Sequence, residues 1–126
     1  MNILWGSLAG ATRNSLESIL MKKIGEFSDV GLSGFIMGSL KMKYLWFQNK
    51  EIRNLVYHKI GQLYGSEIET VNEAKQREFA NIVLGMGQIG VKEVHLTTKV
   101  FKALTQGITT FLPVLDKTHK MYITVG

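Results

Sequence analysis

The sequence predicts an all-α fold: a short α-α hairpin repeat array, wound as a right-handed solenoid-like superhelix. Three observations lead there. Apolar residues recur at helical spacing in segments that resemble one another. A second set of segments, built around Gly and Ser, alternates with the first. The single proline, Pro113, leaves the rest of the chain free for helices.

The first set of segments is clearest in SLESILMKKIG (15–25) and EIRNLVYHKIG (51–61), with Ile24 and Ile60 36 residues apart (60 − 24). Apolar residues fall at Leu16, Ile19, Leu20 and Ile24, and again at Ile52, Leu55, Val56 and Ile60. That spacing marks one face of a helix. A weaker third copy, HLTTKVFKAL, puts Leu96, Val100 and Leu104 in register and Lys99 where the others are apolar. The second set reads Ile3-Leu4-Trp5-Gly6-Ser7-Leu8, then Phe35-Ile36-Met37-Gly38-Ser39-Leu40, then Ile82-Val83-Leu84-Gly85-Met86-Gly87.

Three hairpins follow, at 1–27, 28–64 and 72–107, with 65–78 an irregular insert or an extension of the third leading helix. Loops are expected near Gly10–Asn14, Leu45–Lys50 and Gly90–Glu93. Asn14 (with Glu17) and Asn49 are expected to cap helix starts, Ser66 (with Glu69) to open another, and Gly25 and Gly61 to end the second helix of their pairs. Residues 108–126 form a tail that begins helical and ends extended.

Composition narrows the function. A chain of 126 residues with 45% hydrophobic residues can bury a core. Without cysteine, disulfides and thiolate chemistry are excluded. The net charge of +5 favours a polyanionic partner, RNA above all. No apolar run reaches the ~20 residues that span a bilayer, so membrane insertion is not expected. The start, MNILWGSLAGATRNS, carries Arg13 and no acid before Glu17, as organelle presequences do; it is read as a retained part of the chain.

The run IVLGMGQIG holds Gly85, Gly87 and Gly90 in the G-x-G-x-x-G spacing of a dinucleotide-binding turn. That reading needs a strand over Asn81–Leu84 and an acid about 20 residues on. Neither is expected here, so a nucleotide enzyme stands as a second alternative. The glycines read better as close-packing positions, with Gly6 and Gly38 as counterparts of Gly85 and with Gly90 ending its helix.

These same segments carry a family resemblance. NILWGSLAG and FANIVLGMGQIG resemble the "A-N-L-L-W-A-L-A-K-L-G" first helix of octotricopeptide-type repeats, relatives of the helical arrays in FAST-kinase-like and RAP-domain proteins. Ala80, Asn81, Leu84, Gly85, Gly87, Ile89 and Gly90 match in the third unit, and Asn2, Leu4, Trp5 and Gly6 in the first. The resemblance covers roughly residues 1–107. It implies organellar RNA work, hence a mitochondrial matrix location. Three units without a visible RAP domain suit a small structural protein inside a larger ribonucleoprotein, such as a mitochondrial ribosome clamping rRNA among protein neighbours. A protein-binding scaffold subunit of another organellar complex is the first alternative.

The candidate RNA-binding residues are basic: Lys22, Lys23, Lys59 and Lys102 near the ends of the trailing helices, Arg53 and Lys99 earlier on theirs, Lys41 and Lys43 at the end of the second leading helix, and Lys117 and Lys120 in the tail. Lysines recurring at one place in a repeat would trace a strip along the array and meet phosphates. Tyr44, Trp46 and Phe47 are expected in a loop, as base-stacking groups or a packed corner; Trp5 and Phe35 are expected in the core. His58, His95 and His119 form no ligand pattern, and Asp29 and Asp116 have no acidic neighbour for acid–base work. No enzyme activity, cofactor or metal is expected.

Overall fold

The computed structural model describes residues 4–66, 68, 71–92 and 96–111. Among them there are five α-helices and no strand: α1 Gly10–Lys23, α2 Asp29–Met42, α3 Lys50–Tyr64, α4 Glu73–Ile89 and α5 Thr98–Phe111. Three 3₁₀ turns, Trp5–Ser7, Ile24–Glu26 and Trp46–Gln48, supplement them. No helix among the described residues is long and apolar enough to cross a membrane.

The starts of three helices are written in their caps. The Ser28 hydroxyl accepts from Gly31 N, Asn49 Oδ1 from Glu51 N and Ile52 N, and Asn72 Oδ1 from Lys75 N. Each satisfies a backbone donor that the first turn leaves without a partner. Two helix ends also match. Lys43 (φ 56°) follows α2 and Gly90 (φ 107°) follows α4, both in the left-handed region. At the first, Lys43 N reaches Leu40 O and Tyr44 N reaches Ser39 O; at the second, Gly90 N reaches Gly87 O and Val91 N reaches Met86 O. These are two Schellman caps 47 residues apart (90 − 43), each followed by a buried apolar residue, Tyr44 or Val91.

The same spacing runs through the buried positions. Asp29, Leu32, Ser33 and Ser39 on α2 stand 47 residues before Gln76, Phe79, Ala80 and Met86 on α4. Val56, Ile60 and Tyr64 on α3 stand 47 before Ala103, Gly107 and Phe111 on α5. Helices two apart in the chain pack together: α2 on α4, α1 on α3, and α3 on α5, with α4 also touching α5. The core between these rows is aliphatic around Ile36, Ile52, Val56 and Ile82, and aromatic where Tyr64, Phe79 and Phe111 meet at centroid distances of 4.9–6.3 Å.

Two glycines set how closely the helices approach. A Cβ at Gly85 would strike Ile36 on α2, and a Cβ at Gly107 would strike the Phe79 ring on α4. Polar clamps join the elements elsewhere. The Glu17 carboxylate accepts from Tyr44 Oη at 2.6 Å and Asn49 Nδ2 at 3.0 Å, fixing α1 to the α2–α3 turn. Lys75 meets the buried Asp29 carboxylate at 2.9 Å, tying α4 to α2.

Several expectations are corrected. The segment Gly10–Asn14 is the opening of α1, not a loop, so Asn14 caps nothing; Ala9 precedes the helix and offers no side-chain cap. The first leading segment gives only the turn Trp5–Ser7, so α1 has no helical partner of its own there among the described residues. Gly61 lies inside α3, which ends at Tyr64. Ser66 opens no helix; α4 starts at Glu73, making part of 65–78 a helix extension, with Glu67 and Glu69 outside the described residues. Asn81–Leu84 is helical within α4, so the strand of a dinucleotide-binding turn is missing. Gly85 does admit a neighbour, but a Cβ added at Gly6 or Gly38 would meet no side chain within 4 Å. Of the tail, 108–111 continues α5, and 112–126 lies outside the described residues.

Replacing Gly107 with Ala should destabilise the fold by ~1–3 kcal/mol through overpacking against Phe79. Replacing Lys43 with Gly should stabilise it by about 1 kcal/mol, by relieving an L-residue in the left-handed region. Urea unfolding of the two variants and the parent checks both signs.

Candidate nucleic-acid interface

Charge divides between the two rows of helices. Counting only the helical spans, α1 carries Arg13, Lys22 and Lys23 against Glu17, α3 carries Lys50, Arg53 and Lys59 against Glu51, and α5 carries Lys99 and Lys102 with no acid. Each of these three adjoining helices is therefore +2. In the other row, α2 has Asp29 and Lys41, and α4 has Glu73 and Glu78 against Lys75 and Arg77, so both are neutral. The acid that α1 does carry is turned to Tyr44 and Asn49.

Individual basic residues differ in what their side chains do. Lys22, Lys23, Lys41, Lys43, Lys99 and Lys102 are exposed. Lys23 also meets Glu26 at 3.7 Å, a solvent-exposed pair whose worth is small. Arg53 is half-buried and donates from Nη1 to Phe47 O at 3.3 Å, closing the turn before α3. Lys59 is a correction: it is 8% exposed and its Nζ donates to Gly25 O at 2.8 Å. Its side chain anchors α1 to α3 and does not join a solvent-facing row. Lys117 and Lys120 lie outside the described residues, as do His95, Asp116 and His119.

The Lys59 anchor has a positional consequence. It holds the turn Ile24–Glu26, which directly follows Lys22 and Lys23 at the end of α1, against α3. On the other side of α3, the stem of Lys99 lies across Gly61, where a Cβ would come within 3.2 Å of Lys99 Cε. An open groove of about 190 Å³ forms there, lined by Asn54, Tyr57, His58, Thr97, Lys99 and Val100. Every polar group on its walls can donate a hydrogen bond, and none is a carboxylate. Sequence reading gave Lys99 a role but passed over Asn54, Tyr57 and Thr97. The signal for Thr97 was its place as a helix cap, with Val100 N reaching Thr97 Oγ1 at 3.3 Å.

The third trailing helix is also displaced from its expected register. Aligning Leu104 with Ile60 gives 44, whereas the buried positions of α3 and α5 correspond at 47. Three residues are close to one helical turn, so the shift preserves the buried face and periodicity alone does not reveal it. Lys102 therefore corresponds to Leu55, not to His58.

The loop aromatics are mostly inside. Trp46 is fully buried and Tyr44 is 6% exposed, so neither presents a face for base stacking. They form the packed corner instead: Trp5 stacks on Tyr44 at 4.0 Å, and Trp46 meets Phe35, Phe47 and Tyr57 at 6.0–6.3 Å. Trp5 and Phe35 are partly buried against the core. Burial, then the hydrogen bond to Glu17, holds the Tyr44 phenol protonated far above its ordinary range. Burial also raises Tyr57, opposed by the positive charge of Arg53. Tyr64 rises through burial, then the nearby carboxylates of Asp29 and Glu78.

Comparison with protein-family models, with curated proteins and with solved structures finds no match.

The three tyrosines make stability fall in alkali. Their folded-state values lie above the ordinary 10.0, so as pH rises through that value the unfolded chain loses protons that the folded chain keeps. Stability conferred by the neutral phenols is complete below pH ~10 and declines above it. Urea midpoints should hold up to about pH 10 and fall steadily above it, and Tyr44→Phe should shrink that drop.

Proposed function

We propose that this chain is a non-catalytic RNA-binding protein, a short right-handed solenoid-like array of α-α hairpins that clamps rRNA as a small structural component of a mitochondrial ribosome. The observation that carries the reading is the separation of charge: α1, α3 and α5 each hold a net +2, while α2 and α4 are neutral. A face of one sign concentrates a polyanion and releases its counterions when phosphates are neutralised. The groups assigned to that contact are Lys22, Lys23, Lys99 and Lys102, with Lys41 and Lys43 at the end of α2.

Support for a repeat array comes from the 47-residue correspondence of caps and buried positions between α2–α3 and α4–α5. The resemblance of the α4 segment to octotricopeptide-type repeats supports RNA and an organelle. Neighbouring proteins complete the setting. Ile19 is 57% exposed, Val30 61% and Phe101 47%, and large apolar side chains left on a surface suit docking. Those residues also favour a second reading, a protein-binding scaffold in another organellar complex, in which apolar faces make the partner contacts and the lysines do not. The reading assigns the chain no cofactor.

The test separates the two. Lys22→Glu with Lys102→Glu should weaken binding to a structured RNA by at least ~10-fold at moderate salt, and should flatten the dependence of log affinity on log salt concentration. Ile19→Ser should leave that affinity unchanged. RNA affinity that ignores the double reversal contradicts the proposal and leaves the scaffold reading in its place.

A further inference from the structure

We infer that the groove between α3 and the start of α5 is a seat for a single phosphate group of an RNA strand, read without regard to base. This rests on the RNA-binding reading above and names where on the basic row the backbone crosses.

Asn54, Tyr57 and His58 come from α3; Thr97, Lys99 and Val100 come from the entry to α5 and its first turn. Asn54 and His58 are one turn apart on α3, so both point from the same face. Lys99 reaches them because Gly61 has no side chain: its stem lies flat over that glycine, packed rather than loose in solvent. A lysine held along its stem loses less freedom on binding than one that must be ordered by the ligand.

Charge points the same way. The groove has no carboxylate on its walls, α5 has no acidic residue at all, and the single acid of α3, Glu51, is at its first turn. The exposed groups are an amide, an imidazole, a hydroxyl and an ammonium; all can donate to an oxyanion, and the ammonium, with no carboxylate beside it, disfavours a cation. The groove is open to solvent, so a phosphate can reach it from outside. Its largest aromatic ring offers no face for stacking: Tyr57 is 4% exposed, and its ring packs edge-on against Trp46 at 6.3 Å. Without a Phe, Tyr or Trp face open to stacking, the contact falls on the backbone and the bases go unread.

The experiment is fluorescence anisotropy on the full chain with two unstructured RNAs of equal length, an oligouridylate and an oligoadenylate, over a range of salt. Four proteins are compared: the parent, Lys99→Ala, Asn54→Asp, and Arg77→Ala, which removes one exposed charge from α4. The substituted side chains are all exposed, and circular dichroism of each variant checks that helix content is kept. The inference expects Lys99→Ala to lower affinity several-fold and to reduce the salt slope by ~0.7, the contribution of one phosphate on a single strand. It expects Asn54→Asp to weaken binding more than Arg77→Ala does, and the two RNAs to bind within a few-fold of each other. If the parent binds RNA but Lys99→Ala and Asn54→Asp behave like Arg77→Ala, the seat is overturned while the RNA reading stands. A preference for one RNA of more than ~10-fold overturns base-indifferent seating. If the parent binds neither oligonucleotide, the seat is overturned, and its binding to the structured RNA decides the RNA reading separately.

Discussion

Close approach of α4 to α2 and of α5 to α4 is the constraint on which the rest of this structure depends. It is met by removing side chains. Ile36 occupies the space a Cβ of Gly85 would take, and Phe79 occupies that of Gly107. Because Phe79 can press onto α5, it also meets Tyr64 and Phe111, and this triad fills the core between α3, α4 and α5. A closely packed interior has little room to yield, so these two small positions govern the spacing of three helices. Gly85 belongs to the G-x-G-x-x-G run, and Gly90 supplies the left-handed residue that ends α4. The run serves packing and helix termination.

From that spacing the surface follows. With α2 and α4 forming one row and α1, α3 and α5 the other, residues scattered along the sequence gather by sign. The even helices are balanced and the odd ones are basic. Lys59 contributes in an indirect way: bonded to Gly25 O, it fastens the turn that follows Lys22 and Lys23 to α3. Gly61 does the equivalent on the far side, letting Lys99 lie over α3. A buried lysine and a bare glycine thus position the charged groups that remain exposed.

Much of the fold was legible from the residues. Helical periodicity identified the segments that became α3 and α4, and Asn49 and Gly90 were recognisable as a cap and a stop because the backbone groups they serve are local. What escaped was non-local. Gly61 looks like a helix terminus until Lys99 is seen to need its bareness. Lys59 resembles Lys23 in sequence, yet one is buried and the other exposed, a difference decided by which carbonyl lies opposite. The register of α5 was misplaced by one turn, an error invisible to any argument from helical faces. Of the groove, Lys99 was visible as a basic residue. Asn54, Tyr57 and Thr97 were not, because ordinary polar residues acquire a role only when two helices bring them to one place.

The central claim is that the basic row meets RNA inside a large particle. The most direct measurement is sedimentation of the tagged protein from a mitochondrial lysate, with and without ribonuclease. The protein should travel with a large particle and be released to the top of the gradient when the RNA is digested. Sedimentation as a free small protein, or with a particle whose hold on it survives complete RNA digestion, would contradict it.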